Sequence, residues 1–574
     1  MRPDARPLPA LQRAYFYLVA LVAIHMVVLG IANLLRVGAE VSLKAPFGGF
    51  TGLPFPVWDY NRPNDVYREQ ASLALALLVV GAPAWFFHFR AAQKAALASV
   101  AERTSAMRSF YLHAVLFITA VLVFGYGLRA LTLVFQGAFA ESTPFGTSTF
   151  GIEQQWRARA AGAGAVAIAA IPVLAYHLRL SVADRIAVLL SGRAAQLRHL
   201  ALYGLVLVGL TWGAYNAINV LNQIWQYTAD QLVSPSGVNE FVAPAGFTPP
   251  RGPSKEDYVG SQLIGALPGI VAGFALWLGT WMPLQRSIRG ATADAFMERR
   301  SSIRKLVVYL IVLFSALGVL SYGTIALTAI GRRLLGDPIV ERFSTLHREI
   351  GTPLVGVLVL GAIWIFYRRV IAIDATLETE RERAATIRRL YTYLIAGIGM
   401  AMLGIGLAGL IGVIGSLAMN INTHPNSETA GDISIVLLGA PAWALSWWQA
   451  RRRLDDEERR SAPRRGYLYF AILAGVLGML LFGSALLYRL LNATFAGSLF
   501  TVATWHDIWH FLVDALVSAG LFLFHYRVLR ADRTAQLPAV AQHPVTVLVQ
   551  ASDPVAARAR LAAVLEGQPD IAIR

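Results

Sequence analysis

Cysteine is absent from the 574 residues, which excludes disulfides, thiolate nucleophiles and cysteine metal sites. Compartment stays open, because the oxidising side of a membrane does not require disulfides. Charge is also scarce: Asp, Glu, Lys and Arg make up 15% of the chain, where soluble domains average roughly a quarter. Lysine occurs only at Lys44, Lys94, Lys255 and Lys305. No Walker A, His-Glu-x-x-His or Gly-x-Ser-x-Gly sequence occurs, so no catalytic residue, cofactor site or metal site is assigned and the chain reads as non-enzymatic.

What fills the chain is apolar: 56% of residues are hydrophobic and the mean hydropathy is +0.53. A spanning helix needs about 20 apolar residues, at 1.5 Å each through roughly 30 Å of hydrocarbon. Such runs fall near 14–35, 71–88, 110–135, 160–178, 200–222 and 261–284, then 306–331, 351–367, 390–419, 432–449, 467–491 and 508–526. Pro83, Pro172 and Pro441 interrupt some of them, which neighbouring helices can tolerate. A cleavable signal has an apolar core of about 7–15 residues; the run from Ala14 to Leu35 exceeds it and reads as a retained first span.

The formal charge of +16 would suggest nucleic acid in a soluble protein. Here the arginines fall in alternate connectors. One set of connectors, beginning with 1–13, carries 33 Lys and Arg; the opposite set carries 12. Excess positive charge marks the cytoplasm. The expectation is therefore a multi-pass inner-membrane protein with both termini cytoplasmic, surrounded by the lipid bilayer. A second copy or other membrane proteins are its candidate partners, and nucleic acid is not expected.

The runs resemble one another. Odd-numbered spans open on a basic residue followed by an aromatic: Arg13-Ala-Tyr15-Phe-Tyr17, Arg108-Ser-Phe110-Tyr111, Arg198 with Tyr203, Arg304-Lys305 with Tyr309, Arg389-Leu-Tyr391-Thr-Tyr393 and Arg465-Gly-Tyr467-Leu-Tyr469. Gly30, Gly125 and Gly406 each lie seventeen residues past their arginine, and Gly483 eighteen. Gly81-Ala-Pro-Ala-Trp85 recurs as Gly439-Ala-Pro-Ala-Trp443, and an aromatic-His-x-Arg exit occurs at Phe87–Arg90, Tyr176–Arg179 and Phe524–Arg527. Membrane anchoring by snorkelling Arg and interfacial Tyr could produce part of this likeness. The verbatim pentapeptide favours duplication. The predicted fold class is an all-α integral membrane protein of about 12 transmembrane helices in six tandem two-helix units, with a cytoplasmic tail. The units run 14–109, 110–199, 200–305, 306–389, 390–466 and 467–533, and share one orientation, as parallel repeats do. The tail, 534–574, reads as β-α-β-like: strands near Val545–Gln550 and Ile571–Ile573 flank a helix over Asp553–Glu566.

On these motifs the chain resembles an uncharacterised bacterial multi-pass membrane family, domain of unknown function 5671, over residues 10–530 in tandem copies. The likeness is best in units one, five and six and weakest in unit three, where Trp281-Met-Pro replaces the exit motif. The resemblance implies a multi-pass bacterial membrane protein and carries no activity or site.

A few polar residues remain. Gly404-Ile-Gly406-Leu-Ala-Gly409 matches a dinucleotide fingerprint but lies inside an apolar run, where small residues serve close helix packing. Arg129 and Arg489 lie 21 and 24 residues beyond Arg108 and Arg465, deep enough to snorkel to the far interface. Asn216 and Asn219 read as interhelical hydrogen-bond formers. The linker Arg451–Arg465 reads as a solvated helical extension with i,i+4 ion pairs. His25 sits about 18 Å into its span. His506, His510 and Asp514 follow i, i+4, i+8 on one helix face. Intramembrane ionisable groups default to functional hypotheses. Two readings stand: an assembly component in which these are a satisfied polar cluster, or a secondary transporter or channel with a polar path near His25, His510 and Asp514.

Overall fold

The computed structural model describes residues 8–43, 63–140, 155–188, 190, 192–233, 255–290, 298–299, 301–337, 346–377, 382–420, 426–535, 553 and 555–559. Twelve long helices dominate them: α1 (Ala10–Ser42), α2 (Pro63–Ala98), α3 (Ala106–Ala140), α4 (Gln155–Ala187), α5 (Gly192–Val233), α6 (Lys255–Ser287), α7 (Ser302–Leu334), α8 (Leu346–Leu377), α9 (Glu382–Ala418), α10 (Asn426–Arg452), α11 (Ala462–Phe495) and α12 (Val502–Ala535). Each is long and apolar enough to cross a membrane. Their outward faces carry side chains such as Leu358, Leu480 and Leu481, more than 60% exposed. Faces like these belong in lipid. The described residues are all-α, and the chain is a multi-pass membrane protein.

Most helices overrun their apolar runs. The eleventh run, 467–491, becomes Ala462–Phe495, and the twelfth, 508–526, becomes Val502–Ala535. Backbone groups near the bilayer surface are still best satisfied by helix, so hydropathy marks the hydrocarbon stretch and misses the turns beyond it.

Packing follows a regular plan. Chain neighbours pair as hairpins: α1 with α2, α3 with α4, and so on to α11 with α12. The first and fourth helices of each successive group of four also pack together: α1 with α4, α5 with α8, α9 with α12. Groups of four join through α3 against α5 and α6, and through α7 against α9 and α10. We call these groups modules. Three buried clusters mark their cores, around Tyr17 and Tyr111, around Tyr203 and Tyr367, and around Tyr393 and Tyr467.

The hairpins close on glycine. A Cβ on Gly81 would stand 3.1 Å from the Ala23 carbonyl, and one on Gly439 2.9 Å from that of Gly399. Gly273 takes the same place in the second module, 2.5 Å from the Gly213 nitrogen. Gly30 and Gly406 likewise face the α2 and α10 backbones, but Gly125 and Gly483 face open space. Glycines at one sequence depth thus split by position within the module.

The linker after α10 departs from expectation. Helix ends at Arg452 and resumes as one turn, Asp456–Arg460, with Glu458 only 3% exposed. That carboxylate is drawn inward by a buried arginine. In the tail, 555–559 are helical, and Asp553 Oδ1 accepts from the Val555 and Ala556 amides. The expected strands at 545–550 and 571–573, and most of connector 223–260, lie outside the described residues.

Candidate functional site

The polar chemistry of the spans concentrates where odd-numbered helices begin and even-numbered helices end. Arg108, Arg304 and Arg464 are each 1% exposed. Arg108 Nε donates to Asp184 at 2.7 Å, its Nη1 to the Tyr17 hydroxyl at 3.3 Å and its Nη2 to Gln93 at 2.9 Å. Arg304 repeats this with Asp374 at 2.9 Å, Tyr203 at 3.2 Å and Gln285 at 2.8 Å. Arg464 repeats it with Asp532 at 2.7 Å and Tyr393 at 3.1 Å. Each cluster ties together helices from both hairpins of its module. The guanidinium fork suits two carboxylate oxygens, and Arg304 and Arg464 use both. They also lie over Trp281 and Trp447, 5.2 and 5.5 Å from the ring centroids.

A second carboxylate, supplied by the short linker, completes each cluster. Arg13 donates to Glu102 at 2.8 Å and Arg389 to Glu458 at 2.7 Å. In the second module the cation's place is taken by His199, 2.6 Å from Glu298. Tyr393 and Tyr203 also donate to Glu458 and Glu298; in the first module Glu102 Oε1 is buried without a partner among the described residues. Burial pushes the Glu298 carboxyl up, but the His199 ring, the Tyr203 hydroxyl and the Arg304 charge together outweigh it and hold it below the usual glutamate range.

One layer deeper lies a neutral chain. Trp85 donates to the Tyr111 hydroxyl at 3.1 Å, Tyr111 meets His177 Nε2 at 2.9 Å, and His177 Nδ1 meets the Val173 carbonyl at 2.8 Å. Because a carbonyl only accepts, Nδ1 carries the proton and Nε2 accepts from tyrosine. Trp443, Tyr467 and His525 repeat the chain at 3.3 and 3.0 Å. In the second module Val307 replaces the tyrosine, and Tyr367, at the histidine's place, takes the Trp277 hydrogen bond at 2.8 Å.

Sequence reading weighed membrane anchoring against duplication for the basic residues that open the spans, and assigned none of them a buried partner. A recoverable signal was present in the linkers: Glu102-Arg-Thr-Ser105-Ala-Met-Arg108, Glu298-Arg-Arg-Ser301-Ser-Ile-Arg304 and Glu458-Arg-Arg-Ser461-Ala-Pro-Arg464 share one spacing. Asp184, Asp374 and Asp532 likewise follow His177, Tyr367 and His525 by seven. The buried arginine of the third copy is Arg464, not the neighbouring Arg465.

The residues singled out earlier fare unevenly. His506 and His510 come together, 3.2 Å between their Nε2 atoms, with Ser416 3.3 Å from His510. Asp514 is half-buried further along α12 and makes no hydrogen bond or ion pair among the described residues. His25, on α1, is not joined to them; its Nδ1 meets its own Leu21 carbonyl at 2.7 Å and its Nε2 is buried without a partner among the described residues. Arg489 does more than snorkel: it pairs with Asp507 at 2.7 Å. Arg129 is exposed. Asn216 donates to Trp212 within its own helix, at 2.9 Å, rather than across helices. Within the Gly404–Gly409 sequence, a Cβ on Gly406 would stand 2.8 Å from the Asp432 carbonyl, so this glycine serves helix contact.

The helices and their repeated buried clusters define a repetitive, multi-pass α-helical membrane protein. More particularly, the chain belongs to the family described as domain of unknown function DUF5671, whose model matches residues 13–151, 241–362 and 389–521. The first and third matches begin on Arg13 and Arg389, the equivalent cations of the first and third clusters. No curated protein and no solved structure matches the chain.

Proposed function

We propose that the chain is a non-enzymatic inner-membrane component with cytoplasmic termini. Its six two-helix hairpins couple in pairs through the arginine clusters, and it works by assembling with itself or with other membrane proteins. One observation supports this above others. The deeply buried charges of all three modules are spent on one another, at equivalent places, and so serve rigidity rather than a route for a solute. His25 and Asp514, which a transport path would need together, lie on α1 and α12 without a shared contact.

The test is purification of the full chain in native nanodiscs, with its mass and co-purifying membrane proteins read by mass spectrometry. A second copy or a stoichiometric membrane partner is expected; a lone monomer would count against assembly. Reporter fusions after Ala535 should report a cytoplasmic C-terminus. The second reading, a secondary transporter or channel, draws on the His506–His510–Ser416 contacts beside half-buried Asp514. Proton or solute flux in proteoliposomes that disappears in Asp514→Asn would favour it over assembly.

A further inference from the structure

The seam between the second and third modules holds a cavity of about 570 Å³, within the range of small-ligand sites. Lys305, Arg368, Arg388, Arg389, Arg452 and Arg453 line it. Among the described residues the carboxylates in its wall are Asp374 and Glu458, and both are engaged already, by Arg304 and Arg389. Lys305, Arg368, Arg452 and Arg453 have no carboxylate of their own among the described residues. Four cations around one opening repel one another unless an anion joins them.

The equivalent seam between the first and second modules shows that the fold does not require this. Counting from the arginine clusters, Lys305 corresponds to Ser109, Arg368 to Leu178 and Arg453 to Ser287. There Ser109 donates to the Ala194 carbonyl at 2.6 Å, and His113 fills the place of Tyr309, between Ser109 and Ser181. Three of the cations that border the second seam are thus neutral residues in the first, while Arg388 and Arg452 keep counterparts there in Arg198 and Arg286.

We propose that the second seam is a binding site for a phosphate-bearing anion, its chemistry that of an anionic phospholipid headgroup. Arginine forks suit phosphate oxygens bidentately and Lys305 adds a point charge. The turns that line the cavity also expose Leu306, Ile373 and Leu390, and Trp448 stands exposed with Arg452 3.5 Å from its ring centroid. Apolar groups and an interfacial tryptophan beside a basic pocket fit a lipid whose headgroup enters the seam. This inference stands apart from the assembly reading, since it rests only on the charge and shape of the seam.

The experiment titrates the detergent-solubilised full chain with dioctanoyl phosphatidylglycerol, with dioctanoyl phosphatidylcholine and with sodium pyrophosphate, counting bound ligand by native mass spectrometry. The test variant carries Lys305→Ser, Arg368→Leu and Arg453→Ser, the residues of the first seam. Wild type should prefer phosphatidylglycerol over phosphatidylcholine, and the variant should bind it roughly a hundredfold more weakly, at about fivefold per basic residue. If the triple variant does not fold, Arg453→Ser alone, at an exposed position, should show about a fivefold loss. Arg90→Ser, exposed on α2, should change nothing. Pyrophosphate binding without phosphatidylglycerol binding, lost in the variant, would keep the site and assign it a soluble ligand. Binding of neither probe, or equal binding by wild type and variant, overturns the proposal.

Discussion

The seam joining the first two modules and the seam joining the last two bring together equivalent helices, α3 with α5 and α6 in one, α7 with α9 and α10 in the other. In the first, Ser109 on α3 donates to the Ala194 carbonyl on α5, while His113 links Ser109 to Ser181 within its own hairpin. In the second, Lys305, Arg368 and Arg453 stand around a cavity. At equivalent positions Ser109, Leu178 and Ser287 of the first seam become Lys305, Arg368 and Arg453 in the second, while the arginine clusters on either side stay intact. The buried arginine–aspartate pair is thus common to all three modules, whereas the residues bordering the seams differ between copies.

That contrast can be broken most forcefully at the clusters themselves. Arg464→Leu strands Asp532 in the protein interior and should cost about 3–5 kcal/mol, the penalty for an uncompensated buried charge. Unfolding of the full chain in detergent, followed by circular dichroism, would measure it. Arg108→Leu and Arg304→Leu should cost similar amounts, because all three arginines are equally enclosed. A loss below about 1 kcal/mol at any of them would show that the cluster does not hold its module.

A smaller effect is expected from exchanging the seams. Ser109→Lys puts a cation at a buried position beside His113, which is 5% exposed, and should destabilise by roughly 2–3 kcal/mol. The reciprocal Lys305→Ser, at a half-exposed position, should fall within about 0.5 kcal/mol in zwitterionic lipid. Equal penalties in both directions would mean the seams do not differ as described. His113→Phe removes the hydrogen bonds to Ser109 and Ser181 beside the first seam and keeps the side chain's volume, for about 1 kcal/mol.

The slightest expected effect is in pH dependence. Glu298 is held below the usual glutamate value near 4.3. Its contribution is present above that value and is lost as pH falls through the depressed one. Glu298→Gln should therefore flatten the acid limb of the thermal-stability curve and leave its slope above pH 5 or so unchanged. An unaltered acid limb would show that the His199–Glu298 contact adds no stability.

Much of this architecture was legible one residue at a time. Twelve apolar runs gave twelve helices because lipid demands both length and hydrophobicity of every span. The likeness between Gly81–Trp85 and Gly439–Trp443 also pointed correctly to tandem copies, and the family match agrees. The clusters were harder to see. Arg108, Arg304 and Arg464 fall just outside the apolar runs, as do Asp184, Asp374 and Asp532. Hydropathy assigns such positions to connectors, and arginine there has a ready explanation in snorkelling.

Hydropathy and arginine partitioning are properties of short stretches, so the sequence by itself determined which segments enter lipid and how many there are. Whether an arginine at a helix end reaches water or is sealed inside depends on a carboxylate about 70 residues away, as with Arg464 and Asp532. Only the packing of one hairpin against the next brings such partners within 3 Å of each other. The same packing decided that Ser109 meets the Ala194 carbonyl at one seam and that Lys305 borders a cavity at the other.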